Sequence, residues 1–281
     1  MILSTHGIVG SISGVVPLLL DVYTNAAVAY SVRKLRTAYT GNAIRVRRAS
    51  DNAESDIGFS GGNLDTSSLT SFCSGTNGFV TTWYDQSGNS RNATQTTAAN
   101  QPQIVSSGAI INVNSKPCVQ FDGSNDIMKF IGSGTSSSNT LFVLSKSNNN
   151  TASYQTITSI GNITPATAFA YLYFGAAGND ARAIYSDVLT SLDGARTLVQ
   201  ELVTINAVST TISMLVNNTS VSLTNNTRVL TTNLNDVQIG NDTQYSDPFN
   251  GSIQEVVLYT TAQTSNISGI NTNINTYYAI Y

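Results

Sequence analysis

The chain has 281 residues and a formal net charge of −3, and only 10% of its residues are charged while 41% are hydrophobic. This length allows a sizeable core, and the Ser-, Thr-, Asn- and Gly-rich remainder differs from the Glu-, Lys- and Pro-rich composition of disordered chains. A small negative charge gives no general attraction to nucleic acid or to anionic membranes, and no apolar run approaches the roughly 18 residues of a membrane helix. These properties predict a folded protein with neither nucleic acid nor membrane as a partner.

Residues 1–19 differ in kind from the rest of the chain. Gly7, Gly10 and Gly14 interrupt an apolar, almost uncharged peptide, which suits neither a stable helix nor a solvated tail. The segment also lacks the basic start of a signal peptide. It is interpreted as an N-terminal anchoring or assembly arm that needs a partner surface, or alternatively as an arm wrapped on its own domain. Residues 20–281 show no internal repeat and no linker, and they predict a single domain.

Within that domain, short segments alternate apolar and polar residues and are separated by turn formers, as expected for strands. The predicted strands are AIRVRRAS, GFVTTWYDQ, PCVQFDG, TLFVLSKS, AYLYFGA, TLVQELVTINAV, TISMLVNNTSV, DVQIGND and GSIQEVVLYT. Helical spacing favours two segments, residues 26–38 and the C-terminal SNISGINTNINTYYAIY with Ser265 or Asn266 as cap. The pattern predicts an all-β sandwich with jelly-roll connections, whose C-terminal helix lies on the sheet edge.

Basic residues cluster in one part of the chain. Six of the thirteen lie within residues 33–48, namely Arg33, Lys34, Arg36, Arg45, Arg47 and Arg48. A solvated strand face that balances acidic residues elsewhere explains them most simply. The alternative is a patch that docks onto an acidic partner.

The stretch WYDQSGNSRNATQ, which begins at the only tryptophan, is typical of a strand that runs into a turn. Asp85 can cap backbone amides, Gly88 supplies a position with positive φ, and Asn89 can bond neighbouring carbonyl groups. Trp83 and Tyr84 point to opposite faces of the strand, so one ring faces the core and the other a groove. The stretch is interpreted as mainly structural, with a sugar contact as the alternative.

The sequence has few residues that could bind a metal ion or form a disulfide. Cys73 and Cys118 are the only cysteines, and His6 is the only histidine, so no metal site of Cys and His is possible. The two cysteines are interpreted as reduced thiols. The sequence DGSND at Asp122 and Asp126 favours a turn, with a calcium site that includes Asn125 as the alternative. No cofactor is predicted.

The run FCSGTNGFVTTWYDQSGNSRNATQ resembles the catalytic domain of the arabinofuranosidase B family. It also resembles a wider set of concanavalin A-like, laminin-G-like jelly rolls of bacterial surface proteins and phage virions. The resemblance extends upstream through DVYTNAAVAYSVRKLRTAYTGNAIRVRRASD and downstream through QPQIV, KPCVQFDGSND, IGND and FNGSIQEVVLYT. It implies a concanavalin A-like jelly-roll β-sandwich from Leu20 to the C-terminus.

The resemblance also implies a retaining glycosidase mechanism, which needs a nucleophilic carboxylate and an acid/base carboxylate. Asp242 matches the family's acid/base position. The segment AFAYLYFG, which matches the family's nucleophile segment, has Ala170 or its neighbours where the acid is expected, and Asp180 or Asp187 would have to substitute. The family also pairs the cysteine at Cys73 with one five residues on, where this chain has Gly78. These departures predict a protein that is not an enzyme and is made inside a cell.

Jelly rolls of this kind bind glycans through aromatic rings, amides and carboxylates, and the candidate contacts here are Trp83, Tyr84, Asp85, Asn89, Asp242 and Tyr245. The opening MILSTHGIVGS resembles those of phage structural proteins. The sequence is therefore interpreted as a virion protein of a tailed bacteriophage: a capsid decoration, head-fibre or tail-fibre subunit. It is expected to be a homotrimer that contacts other virion proteins through residues 1–19 and binds host or mucosal glycans. The alternatives are a glycoside hydrolase acting on arabinose-containing polymers and a cell-surface carbohydrate-binding module.

Overall fold

The computed structural model describes residues 16–132, 135–136, 138–148, 155–161, 170–176, 179–186, 189–195, 198–223, 232–233, 236–241 and 246–281. Side chains are described in these ranges except at residues 135, 170–195 and 232–233. The helices are α1 (Leu19–Val22), α2 (Thr66–Phe72) and α3 (Ile267–Tyr278), with a 3-10 turn at Ala98–Asn100. Among the described residues, no helix has the length and apolar character needed to span a membrane.

Strands dominate the described chain, and most of them are short. In chain order they are β1 (Val28–Ser31), β2 (Ile44–Arg48), β3 (Glu54–Ile57), β4 (Phe59–Ser60), β5 (Asn63–Leu64), β6 (Gly78–Trp83), β7 (Ala93–Thr94), β8 (Gln103–Ser106), β9 (Ala109–Ile110), β10 (Asn112–Val113), β11 (Lys116–Pro117), β12 (Val119–Asp122), β13 (Met128–Ile131), β14 (Thr135–Ser136), β15 (Ser138–Ser147), β16 (Gln155–Ile160), β17 (Ala170–Ala176), β18 (Asn179–Ser186), β19 (Leu189–Ala195), β20 (Gln200–Val208), β21 (Thr211–Val216), β22 (Thr219–Val221), β23 (Thr232–Asn233), β24 (Asp236–Ile239) and β25 (Asn250–Tyr259). Each of the nine predicted strand segments contains a strand, so those predictions are confirmed.

The strands pair antiparallel in two connected layers. In one layer β25 is central, with β15, β20, β21 and β22 on one side and both β1 and β12 on the other. In the second layer the order is β3, β2, β6, β7, β13, β24, β16, β17, β18 and β19. Strand β8 pairs with β6 and with β12 and so joins the layers. The predicted all-β sandwich is confirmed, and the jelly-roll order of its connections stays a prediction.

The predicted helix at residues 26–38 is wrong. The segment forms β1, in which Val28 pairs with Leu258 and Ser31 with Glu255 of β25. All four residues of β1 are buried, because one face of the strand lies against the helices and the other against the core. A strand buried on both faces loses the alternation that identifies strands in a sequence, and its apolar residues then fit helical spacing by chance.

The C-terminal helix is confirmed as α3; Asn266 is the residue before it, but its side chain makes no capping hydrogen bond. Ile267, Ile270 and Ile274 are buried on the side that faces the sheet. The helix lies over the sheet face and not at its edge, since the Thr204 hydroxyl of β20 donates to the Asn271 side chain at 2.8 Å. The helix therefore covers the outer face of the β15, β20 and β25 layer.

A buried ion pair fastens α3 to this layer. The Arg33 guanidinium donates to both carboxylate oxygens of Glu255, at 2.8 and 2.9 Å, and to the Asn273 side chain at 2.9 Å. The Ser31 hydroxyl donates to Glu255 at 2.7 Å, and the Tyr278 hydroxyl lies 3.2 Å from the same carboxylate. The Arg33 and Glu255 side chains are only 5% and 1% exposed. Strands β1 and β25 and helix α3 therefore share one closed polar network inside the protein.

Cys73 and Cys118 are free and buried. Gly78, the residue that replaces the family's second cysteine, lies directly against the first: a Cβ atom at Gly78 would be 2.7 Å from Cys73 Sγ. The backbone therefore brings positions 73 and 78 within the distance that a disulfide needs.

We expect Gly78→Cys to form a disulfide with Cys73 and to raise the free energy of unfolding by about 2 kcal/mol, the chain-entropy value for so short a loop. Thiol titration and urea unfolding, with and without reductant, measure both effects. Gly78→Ser is the matched control, because it adds the same crowding against Cys73 without the bond. A variant with two free thiols under oxidising conditions would contradict the expected geometry.

Candidate functional site

The turn after β6 uses its polar groups to hold the backbone. Asp85 Oδ1 accepts from the N–H groups of Ala29 and Ser87, both at 2.9 Å, and Oδ2 accepts from the Arg91 N–H at 3.0 Å. Gly88 has φ +96°, as predicted. The predicted capping role of Asp85 is confirmed, and the carboxylate has little capacity left for a ligand.

The neighbouring candidates for sugar contact lie in different surroundings. Trp83 is completely buried, 6.1 Å from the Tyr30 ring, so its indole offers no surface to a glycan and that prediction is wrong. The alternation of Trp83 and Tyr84 is as expected, with Trp83 as the core ring. The Tyr84 hydroxyl donates to Asp56 at 2.6 Å, and the exposed Asn89 amide donates to backbone carbonyls at 3.0 and 3.1 Å. A role for Tyr84 or Asn89 in sugar binding stays a prediction.

Acidic residues of the protein pair with half of the basic cluster. Arg45 pairs with Asp56 at 2.8 Å and Arg48 pairs with Asp51 at 2.7 Å, while Arg33 is in the buried pair. Arg47 donates to Gln101 at 2.7 Å. The balance by acids agrees with the simpler interpretation at Arg45 and Arg48, whereas Arg33 is buried and not solvated. The acidic-partner interpretation stays a prediction.

Asp242 and Tyr245 lie outside the described residues, as does Asp187. The described chain leads to Asp242 through β24, which ends at Ile239 and is followed by Gly240 and Asn241. Gly240 has φ +84°, and a Cβ there would be 1.9 Å from the Phe121 ring. Only glycine fits this position, so the backbone leading to Asp242 is packed against Phe121.

Beside Phe121, on the outer side of β12, a cleft of about 500 Å³ opens between β8, β12 and the turn after β12. We call it the amide cleft. Its polar lining is Gln101, Gln103, Gln120, Asp122, Asp126 and Asn250. Among the residues that the structure describes, no Lys or Arg side chain lines it. Sequence reasoning did not find this site, because its side chains come from four separate segments.

Asp126 is the most enclosed carboxylate of the cleft, with 5% of its surface exposed. Its Oδ2 accepts from the Asp122 N–H at 2.9 Å. Burial raises the pKa of Asp126 from 3.8 to about 6, and the negative charge of Asp122 adds to the rise. At neutral pH the cleft therefore holds a desolvated carboxylate next to a solvated one.

The DGSND segment forms the turn that was favoured for it. Asp122 Oδ1 accepts from the Ser124 N–H at 2.7 Å and from the Asn125 N–H at 3.4 Å. In the described part of the chain, no group of three or more His, Cys, Asp or Glu side chains could hold a metal ion. The hydrogen bonds of the turn do not depend on a calcium ion. Calcium binding at Asp122 and Asp126 stays a prediction.

Comparison with known proteins gives a family match. The sequence profile described as "Alpha-L-arabinofuranosidase B, catalytic" matches residues 21–183, which is more than half of the chain. Among curated proteins, a probable α-L-arabinofuranosidase B of Aspergillus flavus is 38% identical over 96 residues, and one of Aspergillus terreus is 34% identical over 101 residues. These matches cover 32% and 34% of this chain, but only 19% and 20% of the two relatives.

Solved structures show the same fold over nearly the whole chain. A GH54 α-L-arabinofuranosidase mutant soaked with 4-nitrophenyl α-L-arabinofuranoside superposes with a TM-score of 0.72 at 18% identity. An arabinofuranosidase in complex with arabinofuranosyl-α-1,2-xylobiose gives a TM-score of 0.71 at 18% identity. Each alignment covers 91% of this chain and 64% of the other.

These matches correct several connected predictions. The interpretation as a non-enzymatic virion protein is wrong, since the family, the curated relatives and the superposed structures are glycosidases. The expected virion partners, the homotrimer and the virion location depended on that interpretation and are withdrawn with it. The error came from weighing the missing cysteines and the missing glutamate above the resemblance that spans the chain.

The family resemblance deduced from WYDQSGN and its flanking segments is confirmed. From the profile match over residues 21–183, the chain belongs to the α-L-arabinofuranosidase B catalytic-domain family.

Proposed function

We propose that this protein is a glycoside hydrolase that cleaves α-L-arabinofuranosyl bonds. The observation that carries the proposal is the catalytic-domain match over residues 21–183. The fold supports it, because the chain aligns over 91% of its length with arabinofuranosidases that hold an arabinofuranoside or an arabinofuranosyl-xylobiose. The chain spans only about a fifth of the curated relatives, so the proposal concerns this catalytic unit.

Asp242 is the proposed acid/base, since it matches the family's acid/base position. For the nucleophile, the strand register favours one of the two aspartates considered in place of the family's glutamate. Tyr173 of β17 pairs with Ala183 of β18, and continuing this antiparallel register sets Ser186 level with Ala170. Ser186 is the last residue of β18, and Asp187 follows it.

Asp180 is near the other end of the same strand pair, where Ala176 pairs with Asn179. Six residues of β17 separate that end from Ala170, about 20 Å of extended chain. Because the resemblance points to Ala170 or its neighbours for the nucleophile, Asp187 is the better substitute. An aspartate at this point of the sequence would restore the covalent route with a side chain shorter than glutamate by one methylene group.

The test is release of 4-nitrophenol from 4-nitrophenyl α-L-arabinofuranoside by the purified full chain. We expect turnover by the parent and by Asp51→Asn, whose exposed carboxylate pairs with Arg48 on the surface. Asp187→Ala is expected to lose turnover and to regain it with azide, which can attack the anomeric carbon in place of the missing nucleophile. A parent chain without activity would overturn the proposed function, and an Asp187→Ala variant with parental activity would exclude that residue.

A further inference from the structure

The register of three strands lines up one row of side chains in the amide cleft. Phe79 of β6 pairs with Gln103 of β8, and Gln103 pairs with Gln120 of β12. Paired residues of neighbouring strands point to the same face, with strands about 4.8 Å apart. Asp122 lies two residues further along β12 and is opposite Asn250 of β25. The sheet therefore presents an aromatic ring and two amides in a row across β6, β8 and β12, about two strand spacings, with a carboxylate beside the last amide.

Several polar atoms in this row have hydrogen-bonding capacity to spare. The Gln120 amide has no hydrogen-bond partner among the described residues, although the side chain is half-buried. Gln103 uses one N–H for the Val105 carbonyl at 2.9 Å, which leaves its side-chain oxygen. Gln101, in contrast, is fully engaged by Arg47 and by the Gln95 carbonyl, and so forms a fixed wall.

The burial of Asp126 is a second feature that points to a ligand. Its carboxylate is 95% buried and lines the cleft, yet the Asp122 N–H is its one hydrogen-bond donor among the described residues. A carboxylate buried with so few donors costs stability when it is ionised, as its raised pKa shows. Hydroxyl groups of a ligand would supply the missing donors.

The chemical groups that line the cleft indicate which class of ligand it binds. Among the described residues the lining has two carboxylates and no lysine or arginine, and the neighbouring Arg47 guanidinium is held by Gln101 and Asn52 and lies over the Phe79 ring. The lining therefore disfavours phosphates, sulfates and uronic acids. Amide and carboxylate groups arranged beside an aromatic ring suit a ligand that has many hydroxyl groups and an apolar ring face. A volume of about 500 Å³ is large enough for a small oligosaccharide.

We propose that the amide cleft is a carbohydrate-binding site for a neutral saccharide, formed by residues other than the proposed catalytic aspartates. Gln120, Gln103 and Asp126 bond its hydroxyl groups, and Phe79, which has the Arg47 guanidinium over its ring at 5.0 Å, packs its remaining exposed surface against the sugar. The site gives the protein a second contact with a polymeric substrate, outside the arabinofuranosyl bond. The inference does not require hydrolysis at Asp242.

The test is an NMR titration of the full chain with xylobiose, a neutral disaccharide without an arabinofuranosyl bond, so that hydrolysis does not enter the measurement. Gln120→Ala is expected to weaken binding by about 3- to 10-fold, through loss of one or two neutral hydrogen bonds. Asp126→Asn keeps the shape and is expected to weaken binding by about 10-fold, through loss of a charge-assisted bond. Asn125→Ala, an exposed change in the same turn, is the matched control and should bind as the parent does.

Digalacturonate serves as a charged probe of similar size and should bind more weakly than xylobiose. Thermal unfolding of each variant verifies that the fold is intact. The proposal is overturned if xylobiose leaves the spectrum of the parent unchanged even at tens of millimolar, or if both cleft variants bind it with parental affinity. Because xylobiose is not a substrate for the proposed reaction, a chain that binds it without releasing 4-nitrophenol would refute the hydrolase and not the cleft.

Discussion

Asp242→Asn is expected to lower the turnover of arabinofuranosyl-α-1,2-xylobiose by about 10²- to 10⁴-fold, the usual contribution of general acid–base catalysis. A xylose hydroxyl is a poor leaving group and needs a proton as the glycosidic bond breaks. 4-Nitrophenolate leaves readily as an anion, so the bond-breaking step of the aryl substrate depends less on the acid. The variant should therefore lose more kcat/KM, which reports the bond-breaking step, on the trisaccharide than on the aryl arabinofuranoside, while the later hydrolysis of the shared intermediate slows equally for both.

That difference between substrates separates an acid catalyst from a residue that only shapes the site. Asp51→Asn makes the same chemical change on an exposed carboxylate and should leave both activities unchanged. Equal losses of kcat/KM on both substrates would argue against Asp242 as the group that protonates the leaving oxygen. Full activity of Asp242→Asn on the trisaccharide would exclude it from the mechanism.

Glu255→Gln is expected to lower the free energy of unfolding by about 3 to 5 kcal/mol, because it leaves the Arg33 guanidinium buried without its counter-ion. The Arg33 side chain is 5% exposed, so the N–H groups that it donates to Glu255 could not form hydrogen bonds with water instead. The Ser31 and Tyr278 hydroxyl groups would also lose a charged acceptor. Urea unfolding followed by circular dichroism measures the loss.

The double variant Arg33→Met with Glu255→Gln tests whether the unpaired Arg33 charge causes the loss of stability. Removing both charges is expected to recover most of the loss, since an unpaired buried charge costs more than a neutral replacement of the pair. The exposed pair of Arg45 and Asp56 is the matched control, and Asp56→Asn should cost less than about 1 kcal/mol. A double variant as unstable as Glu255→Gln alone would show that the loss comes from packing and not from the unpaired charge.

Local patterns of the sequence predict local structure well in this chain. The nine alternating segments contain strands, α3 begins one residue after its predicted cap Asn266, and Asp85 and Gly88 hold the turn after Trp83 as their types suggest. Each of these features depends on residues close together in the sequence. The segment at residues 26–38 failed because β1 is buried on both faces, and only the fold decides that.

The amide cleft had a signal in the sequence that was not used. Gln101 and Gln103 alternate in QPQIV, and Gln120 and Asp122 alternate in CVQFDG, so each segment shows a polar face. What the sequence does not state is that β8 and β12 are neighbours, or that Gln103 is opposite Gln120. Pairing between distant segments decides whether two polar faces form one site.

The functional error has a different origin. Taken by themselves, the missing partner of Cys73 and the absent glutamate near Ala170 favour loss of the family's role. The match of the family profile over residues 21–183 and the fold shared over 91% of the chain outweigh these two positions. Single positions can depart from a family's pattern while the fold is kept.

The most direct measurement is a proton NMR time course of arabinofuranosyl-α-1,2-xylobiose incubated with the purified full chain. A glycosidase releases free arabinose and xylobiose in equal amounts, with a rate proportional to protein concentration and lost in Asp242→Asn. A trisaccharide that stays intact at high protein concentration, although the protein binds it, would contradict the proposed hydrolase and leave a carbohydrate-binding domain built on the catalytic fold.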